Sequence, residues 1–211
     1  MQYPKQDLLY GLNSQQNKAV TSNAPQLLVL AGAGSGKTKV LTHRIAWLLQ
    51  QQLAYPDNIL AVTFTNKAAT EMRSRIEQLT QTSARNMWVG TFHGLAHRLL
   101  RQHAEEAGLS PDFQIMDSQD QLSIIKRMHK ELHLDEKRWQ PSHSQWFINQ
   151  NKDEGVRAQQ LDRGSNIHQQ TLAQIYLAYE QSCRRSGLVD FAELILASHE
   201  LMQRNPELAE H

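Results

Sequence analysis

The chain has 211 residues, with 22 Lys and Arg against 21 Asp and Glu; its length suits one or two domains, and 40% hydrophobic with 20% charged residues is the make-up of a globular chain able to bury a core. A formal net charge of +1 excludes a bulk basic field, so any nucleic-acid contact has to come from local sites, and the single cysteine excludes an internal disulfide framework. The N-terminus Met1-Gln2-Tyr3-Pro4-Lys5-Gln6-Asp7 carries no apolar signal core and no stretch has the length of a bilayer span, which together read as a soluble, cytoplasmic chain.

In chain order, the apolar run Leu27 to Leu30 reads as a strand that empties into Ala31-Gly32-Ala33-Gly34-Ser35-Gly36-Lys37-Thr38. Glycines there permit backbone angles and a closeness of approach that a Cβ would block, so successive N–H groups can cradle phosphate oxygens. Lys37 is spaced to reach the β- and γ-phosphates and Thr38 to put its hydroxyl on Mg²⁺, which makes these two the candidate catalytic residues. The first loop position is Ala31 where the strict pattern has Gly. An amphipathic helix follows, with Leu41, Ile45, Leu48 and Leu49 on one face and its positive dipole end toward the loop.

The continuous apolar run Asn58 to Phe64 is of the kind expected for a strand buried on both faces. A helix with Ala68, Ala69, Met72, Ile76 and Leu79 at helical spacing comes next and leaves Arg73 and Arg75 outward. A third strand over Met87 to Phe92 leads into a helix with Leu95, Ala96, Leu99 and Leu100 on one face. Repeated strand-helix units imply a parallel sheet with right-handed crossovers. Strand signals then stop. Asp117 can cap a helix carrying Leu122, Ile125, Met128 and Leu132; another carries Leu172, Ile175, Tyr176, Tyr179 and Cys183 and ends at Gly187; Asp190 opens a last one, with Glu193 at capping-box spacing. Cys183 in that apolar pattern reads as a small buried hydrophobe. The fold class is α/β, a sheet unit followed by an all-helical one.

Several separated motifs fall in one order. Leu12-Asn13-Ser14-Gln15-Gln16, the loop Ala31 to Thr38, Thr63-Phe64-Thr65-Asn66-Lys67-Ala68-Ala69, Val89-Gly90-Thr91-Phe92-His93-Gly94 and Leu188-Val189-Asp190-Phe191 resemble, in turn, the Q motif, motifs I, Ia and Ib, and a segment of the helical insertion of the UvrD/Rep/PcrA group of superfamily 1 DNA helicases. The resemblance runs through essentially the whole chain. It implies a RecA-like P-loop motor subdomain, 1A, whose first part is residues 1–92, and an inserted helical subdomain, 1B, over 93–211. It also implies ATP and Mg²⁺ as cofactors, 3'-to-5' translocation, single-stranded and 3'-tailed duplex DNA as partners, and a place in excision and mismatch repair beside other repair proteins.

The residues carried over have physical readings. The Gln16 amide offers an acceptor and a donor side by side, matching the N6 and N7 of adenine, although a polar residue at a helix start is the plainer account. With Gln16, the nucleotide set is Ala31, Gly32, Ala33, Gly34, Ser35, Gly36, Lys37, Thr38 and Lys39. Lys39 stands where the resembled family often has Arg; it is a point charge with no plane to lie over a base, and phosphate attraction is what it retains. Phe64, at the end of a strand, suits either core packing or stacking on an extruded base. Thr65, Asn66, Thr91 and His93 lie at the same sheet edge and suit sugar-phosphate hydrogen bonds. His93 and His97 have the spacing of two metal ligands, but no catalytic Glu stands between them and no third ligand is indicated, so the metal expected is the Mg²⁺ brought with nucleotide to Thr38.

Hydrolysis in P-loop enzymes also needs an Asp, usually Asp-Glu, at the end of an apolar strand. No such strand follows the loop in this chain; by resemblance the motif lies just beyond His211, which reads as a piece of a longer chain unable to hydrolyse ATP by itself. The alternative is a self-contained nucleotide-dependent binding module or a small P-loop kinase, but nothing in the helical half marks the arginine lid a kinase needs.

Overall fold

The computed structural model describes residues 7–135, 137–161 and 166–209, so the N-terminal residues up to Gln6, read above as lacking a signal core, lie outside the described part. The chain divides into two compact units, one running to Leu95 and the other starting at Ala96.

In the first unit Asn13 caps α1 (Ser14–Val20) through a reciprocal box: its Oδ1 accepts from the Gln16 N–H at 2.9 Å, and Gln16 Oε1 accepts from the Asn13 N–H at 3.1 Å. α2 (Lys37–Gln50) buries Val40, Ile45, Ala46 and Leu49 at helical spacing. β1 (Leu60–Thr63) and β2 (Trp88–Thr91) pair in parallel, Leu60 opposite Trp88 through Thr63 opposite Thr91, with the crossover made by α3 (Asn66–Thr80). Ile45 and Leu49 of α2, Met72 and Ile76 of α3, and Ala61 and Val89 of the strands form the core. Complete burial of Ile76 alone contributes roughly 1.5–3 kcal/mol.

Two expectations for this unit are corrected. Leu27 to Leu30 is not a strand: among the described residues the unit's sheet is β1 and β2 alone, and Leu28 and Leu30 are 81% and 85% exposed. An apolar run becomes a strand only when a neighbour takes up its backbone N–H and C=O groups, and composition does not supply the neighbour. Nor is the run ending at Phe64 buried on both faces. Ala61 is buried but Leu60 is 67% exposed, because α2 and α3 cover only the face that carries Ala61 and Val89.

α4 (Phe92–Gln102) runs from the first unit into the second, which continues with β3 (Gln114–Ile115), α5 (Ser118–Glu131), α6 (Pro141–Asp153), α7 (Ile167–Ser186), β4 (Leu188–Val189), α8 (Phe191–Arg204) and α9 (Pro206–Ala209). The caps fall where the spacing predicts. Asp117 accepts from the N–H groups of Gln119 and Asp120, Gly187 ends α7 in the left-handed region at φ 62°, and Asp190 accepts from Glu193 N–H. The unit is not wholly helical, however: β3 and β4 form a short parallel bridge, Gln114 opposite Leu188 and Ile115 opposite Val189. One core gathers Ile125, Met128, Ile148, Ile175, Tyr176 and Tyr179; another joins Ala96 and Leu100 of α4 to Phe113, Val189, Leu194 and Leu201. Cys183 is buried as expected, and burial pushes its thiol up to about 11.

A set of buried charges lies within this unit. Lys152 of α6 donates to Asp190 Oδ2 at 2.7 Å and lies 2.8 Å from Glu193 Oε2. Asp190 Oδ2 also accepts from the Tyr179 hydroxyl at 2.6 Å and Gln121 Nε2 at 3.3 Å, so one carboxylate is both helix cap and counter-ion. Arg157 reaches Glu193 at 2.7 Å, Glu200 at 2.8 Å and Glu180 at 3.1 Å. Burial alone would push the Lys152 ammonium down, but Glu193 and Asp190 outweigh it and hold it above its ordinary range.

Candidate nucleotide and strand site

The loop between Ala31 and Lys37 is shaped by two glycines in the left-handed region, Gly34 at φ 74° and Gly36 at φ 83°. A side chain at either position would be strained, which accounts for the residue type there. Gly36 is the N-cap of α2, makes no side-chain cap, and is followed by a first turn with no acidic residue. The free N–H groups and the positive dipole end therefore face outward with no internal anion to answer them. Lys37 Nζ donates to the carbonyls of Ala31 at 2.9 Å and Gly32 at 2.6 Å, so the ammonium is folded back over its own loop. Ser35 Oγ donates to Gly32 O at 2.7 Å. Residues 31 to 35, Lys37 and Thr38 are all exposed. Exposed amides at a helix head, a lysine folded over the same loop and a following threonine hydroxyl fit the phosphates of a nucleotide and its Mg²⁺.

Gln16, assigned to the nucleotide from sequence, is brought to this loop, and Lys39, assigned with it, is bonded to the turn before α1. Gln16 Nε2 donates to Ser35 O at 3.1 Å, and Lys39 Nζ donates to Gly11 O at 2.6 Å.

The residues assigned to DNA gather at the carboxyl ends of β1 and β2, which the parallel register brings level. Phe64 is 91% exposed and is not a core residue. Its ring lies 6.2 Å from that of Phe92, itself 55% exposed, with the planes tilted by 60°. Phe92 was missed from sequence, although the signal is there: Thr63-Phe64 and Thr91-Phe92 repeat the same pair at both strand ends. Thr65 caps α3 by accepting from Ala68 N–H at 3.2 Å, and Thr91 Oγ1 accepts from Gly94 N–H at 3.2 Å. Each hydroxyl keeps a proton to donate. Asn66 opens α3, and His93 is exposed in the first turn of α4. His97 is engaged otherwise, its Nε2 accepting from Arg101 Nε at 3.0 Å and its ring standing edge-on to Phe113. Among the described residues no helix is long and apolar enough to cross a membrane.

A glycine loop with left-handed turns, a lysine and the head of a helix, set beside parallel strands, is the arrangement of a P-loop nucleotide-binding protein. More narrowly, the chain belongs to the UvrD/REP helicase N-terminal domain family, whose model matches residues 12–211. It is similar to DNA helicase II of Escherichia coli strain K12, 55% identical over 204 residues that make up 97% of this chain and 28% of that protein. Against DNA helicase II of Haemophilus influenzae the identity is 48%, covering 95% of this chain and 28% of the relative. Against the ATP-dependent DNA helicase PcrA of Bacillus subtilis strain 168 it is 39%, covering 100% and 29%. The chain thus spans less than a third of the length of these relatives.

Proposed function

We propose that the chain is the N-terminal part of an ATP-dependent DNA helicase that moves 3'-to-5' along single-stranded DNA and serves excision and mismatch repair in the cytoplasm. The observation that carries this reading is one small unit with both an exposed glycine loop at a helix head and a pair of exposed phenylalanines at the carboxyl ends of its strands. The first suits ATP, with Gln16, Ala31 to Thr38 and Lys39 as its contacts; the second suits the strand, with Phe64 as a stacking face and Thr65, Asn66, Thr91 and His93 on sugar and phosphate. Residues 1–92 are read as the first part of motor subdomain 1A and 93–211 as helical subdomain 1B.

Lys37 and the α2 amides hold the anion, and the Thr38 hydroxyl is the ligand this chain offers to Mg²⁺. When bound, Mg²⁺ neutralises charge on the transferring phosphate. No Asp-Glu pair at a strand end is found among the described residues to arrange the attacking water. The 211-residue chain is therefore expected to bind Mg-ATP weakly and to turn it over at background even with oligo-dT present. In the full-length parent, duplexes with a 3' tail should be unwound and those with a 5' tail should not. Steady DNA-stimulated turnover by the 211-residue chain, or preference for a 5' tail in the parent, would overturn the respective half of the reading.

A further inference from the structure

Two hydrogen bonds near the loop join segments far apart in sequence. Gln16 Nε2 of α1 donates to the Ser35 carbonyl at 3.1 Å, and Lys39 Nζ of α2 donates to the Gly11 carbonyl at 2.6 Å, in the turn before α1. One bond runs from the first segment to the loop and the other runs back. Both atoms of the Gln16 amide are committed, since its Oε1 accepts from the Asn13 N–H at 3.1 Å. It also lies tight against the loop: a Cβ at Gly36 would stand 2.9 Å from Gln16 Nε2.

The bond to Ser35 has a directional consequence. In a trans peptide the carbonyl of one residue and the N–H of the next point in opposite directions. With the Ser35 carbonyl held toward Gln16, the Gly36 N–H is turned away from α1, as a donor at the head of α2. Gly34 and Gly36 flank Ser35 at positive φ, and glycine loses more conformational freedom than any other residue when fixed, so this peptide plane would otherwise be the least restrained in the loop. The internal bonds from Ser35 and Lys37 end on Ala31 and Gly32 and leave the Ser35 carbonyl untouched.

We propose that Gln16 and Lys39 are positioning residues that clasp the segment Gly11 to Gln16 onto the phosphate loop, so that the loop's affinity for an anion with no base depends on Gln16, an uncharged residue. The proposal rests on reading the loop as a phosphate site. A role confined to the adenine makes the opposite prediction: Gln16→Ala would then narrow the preference for ATP over GTP and leave a base-free anion unaffected.

The test is calorimetric binding of inorganic tripolyphosphate with Mg²⁺ to the 211-residue chain, its Gln16→Ala variant and a Gln15→Ala control on the exposed side of the same helix. Hydrogen exchange of the amides from Ala31 to Thr38 is measured alongside, without any anion, and with Lys39→Met added to the set. Gln16→Ala should weaken tripolyphosphate about fivefold, the effect of losing one neutral hydrogen bond, and both clasp variants should exchange the loop amides faster than the control at unchanged thermal midpoint. Equal tripolyphosphate affinity in Gln16→Ala and the unmutated chain, or loop exchange no faster than in the control, overturns the clasp. Failure of the unmutated chain to bind tripolyphosphate at all strikes instead at the phosphate-site reading, and the clasp is then decided by the exchange rates alone.

Discussion

Lys37 carries the sharpest expectation of any single residue. Its ammonium bonds two carbonyls of its own loop, so its removal leaves the loop backbone solvated and takes a fixed positive charge out of the loop. Lys37→Ala is therefore expected to abolish Mg-ATP binding measured by equilibrium dialysis while leaving the thermal midpoint within about 0.5 kcal/mol of the original stability, as surface substitutions usually do. Phe64 is the counterpart for the strand. Stacking of a base on an exposed ring is worth about 1–3 kcal/mol. Phe64→Ala should weaken oligo-dT binding by the full-length parent by that much, whereas His97→Ala, whose ring is held by Arg101 and Phe113, should change it far less. Equal losses for the two in fluorescence anisotropy would put the strand on the wrong residues. Glycines, Lys37 and the strand-end polar residues were legible because their chemistry is local to the sequence. Phe64's surroundings were not, since a strand-end aromatic is packed or bare according to what the rest of the fold lays over it.

Among the elements, α6 and α8 are tied by buried charge, because Lys152 on one faces Asp190 and Glu193 at the start of the other. Removing one member of a buried pair leaves the rest uncompensated, and Lys152→Met should cost about 3–5 kcal/mol in urea unfolding. Arg75→Ala breaks an exposed pair with Glu71 one turn away on α3 and should cost no more than about 0.5 kcal/mol. Acid should act on the same contact. Burial alone would raise the Glu193 carboxyl, but Lys152 and Arg157 outweigh it and hold it below 4.5; Glu200 is lowered chiefly by its hydrogen bond from Arg157. Carboxyls depressed in the folded state contribute stability that is complete above their unfolded value and is lost as pH falls through the folded one. Protection of α6 and α8 amides should thus hold from about pH 7 down to about pH 5 and fall steeply below about pH 4; an acid-insensitive profile would remove these carboxylates from the account. None of this was visible in the sequence. No helix is read over 141–153, because its buried face carries Ser144 and Lys152 beside Ile148 and the apolar period is blurred. β3 and β4 escaped for a different reason, two residues each being too few to show alternation. The helices bounded by Asp117, Gly187 and Asp190 were legible, since their signals are caps and lie within one turn of the boundary.

For the whole molecule, near-neutral charge governs how DNA is held. With a formal charge of +1 few counterions are released, so binding of oligo-dT to the 211-residue chain should be weak and should fall only shallowly as salt rises. Anisotropy at two salt concentrations checks this, and tight or steeply salt-dependent binding would count against contacts made mainly by polar and aromatic side chains. The bridge between β3 and β4 has a further consequence, which concerns the order of events during synthesis. Among the described residues the core of the first unit is drawn from Ile45 to Val89, all of it made before Leu95 leaves the ribosome. The second unit is not built in that way. Met116 N–H donates to the carbonyl of Val189, and Ala96, Leu100 and Phe113 pack on Leu194 and Leu201, so its opening stretch waits for partners made roughly 70 to 100 residues later. At about 5–20 residues per second that interval is about 4–20 s, during which the buried face of α4 and the whole of Phe113 stand open to solvent and to whatever apolar-binding chaperone is at hand.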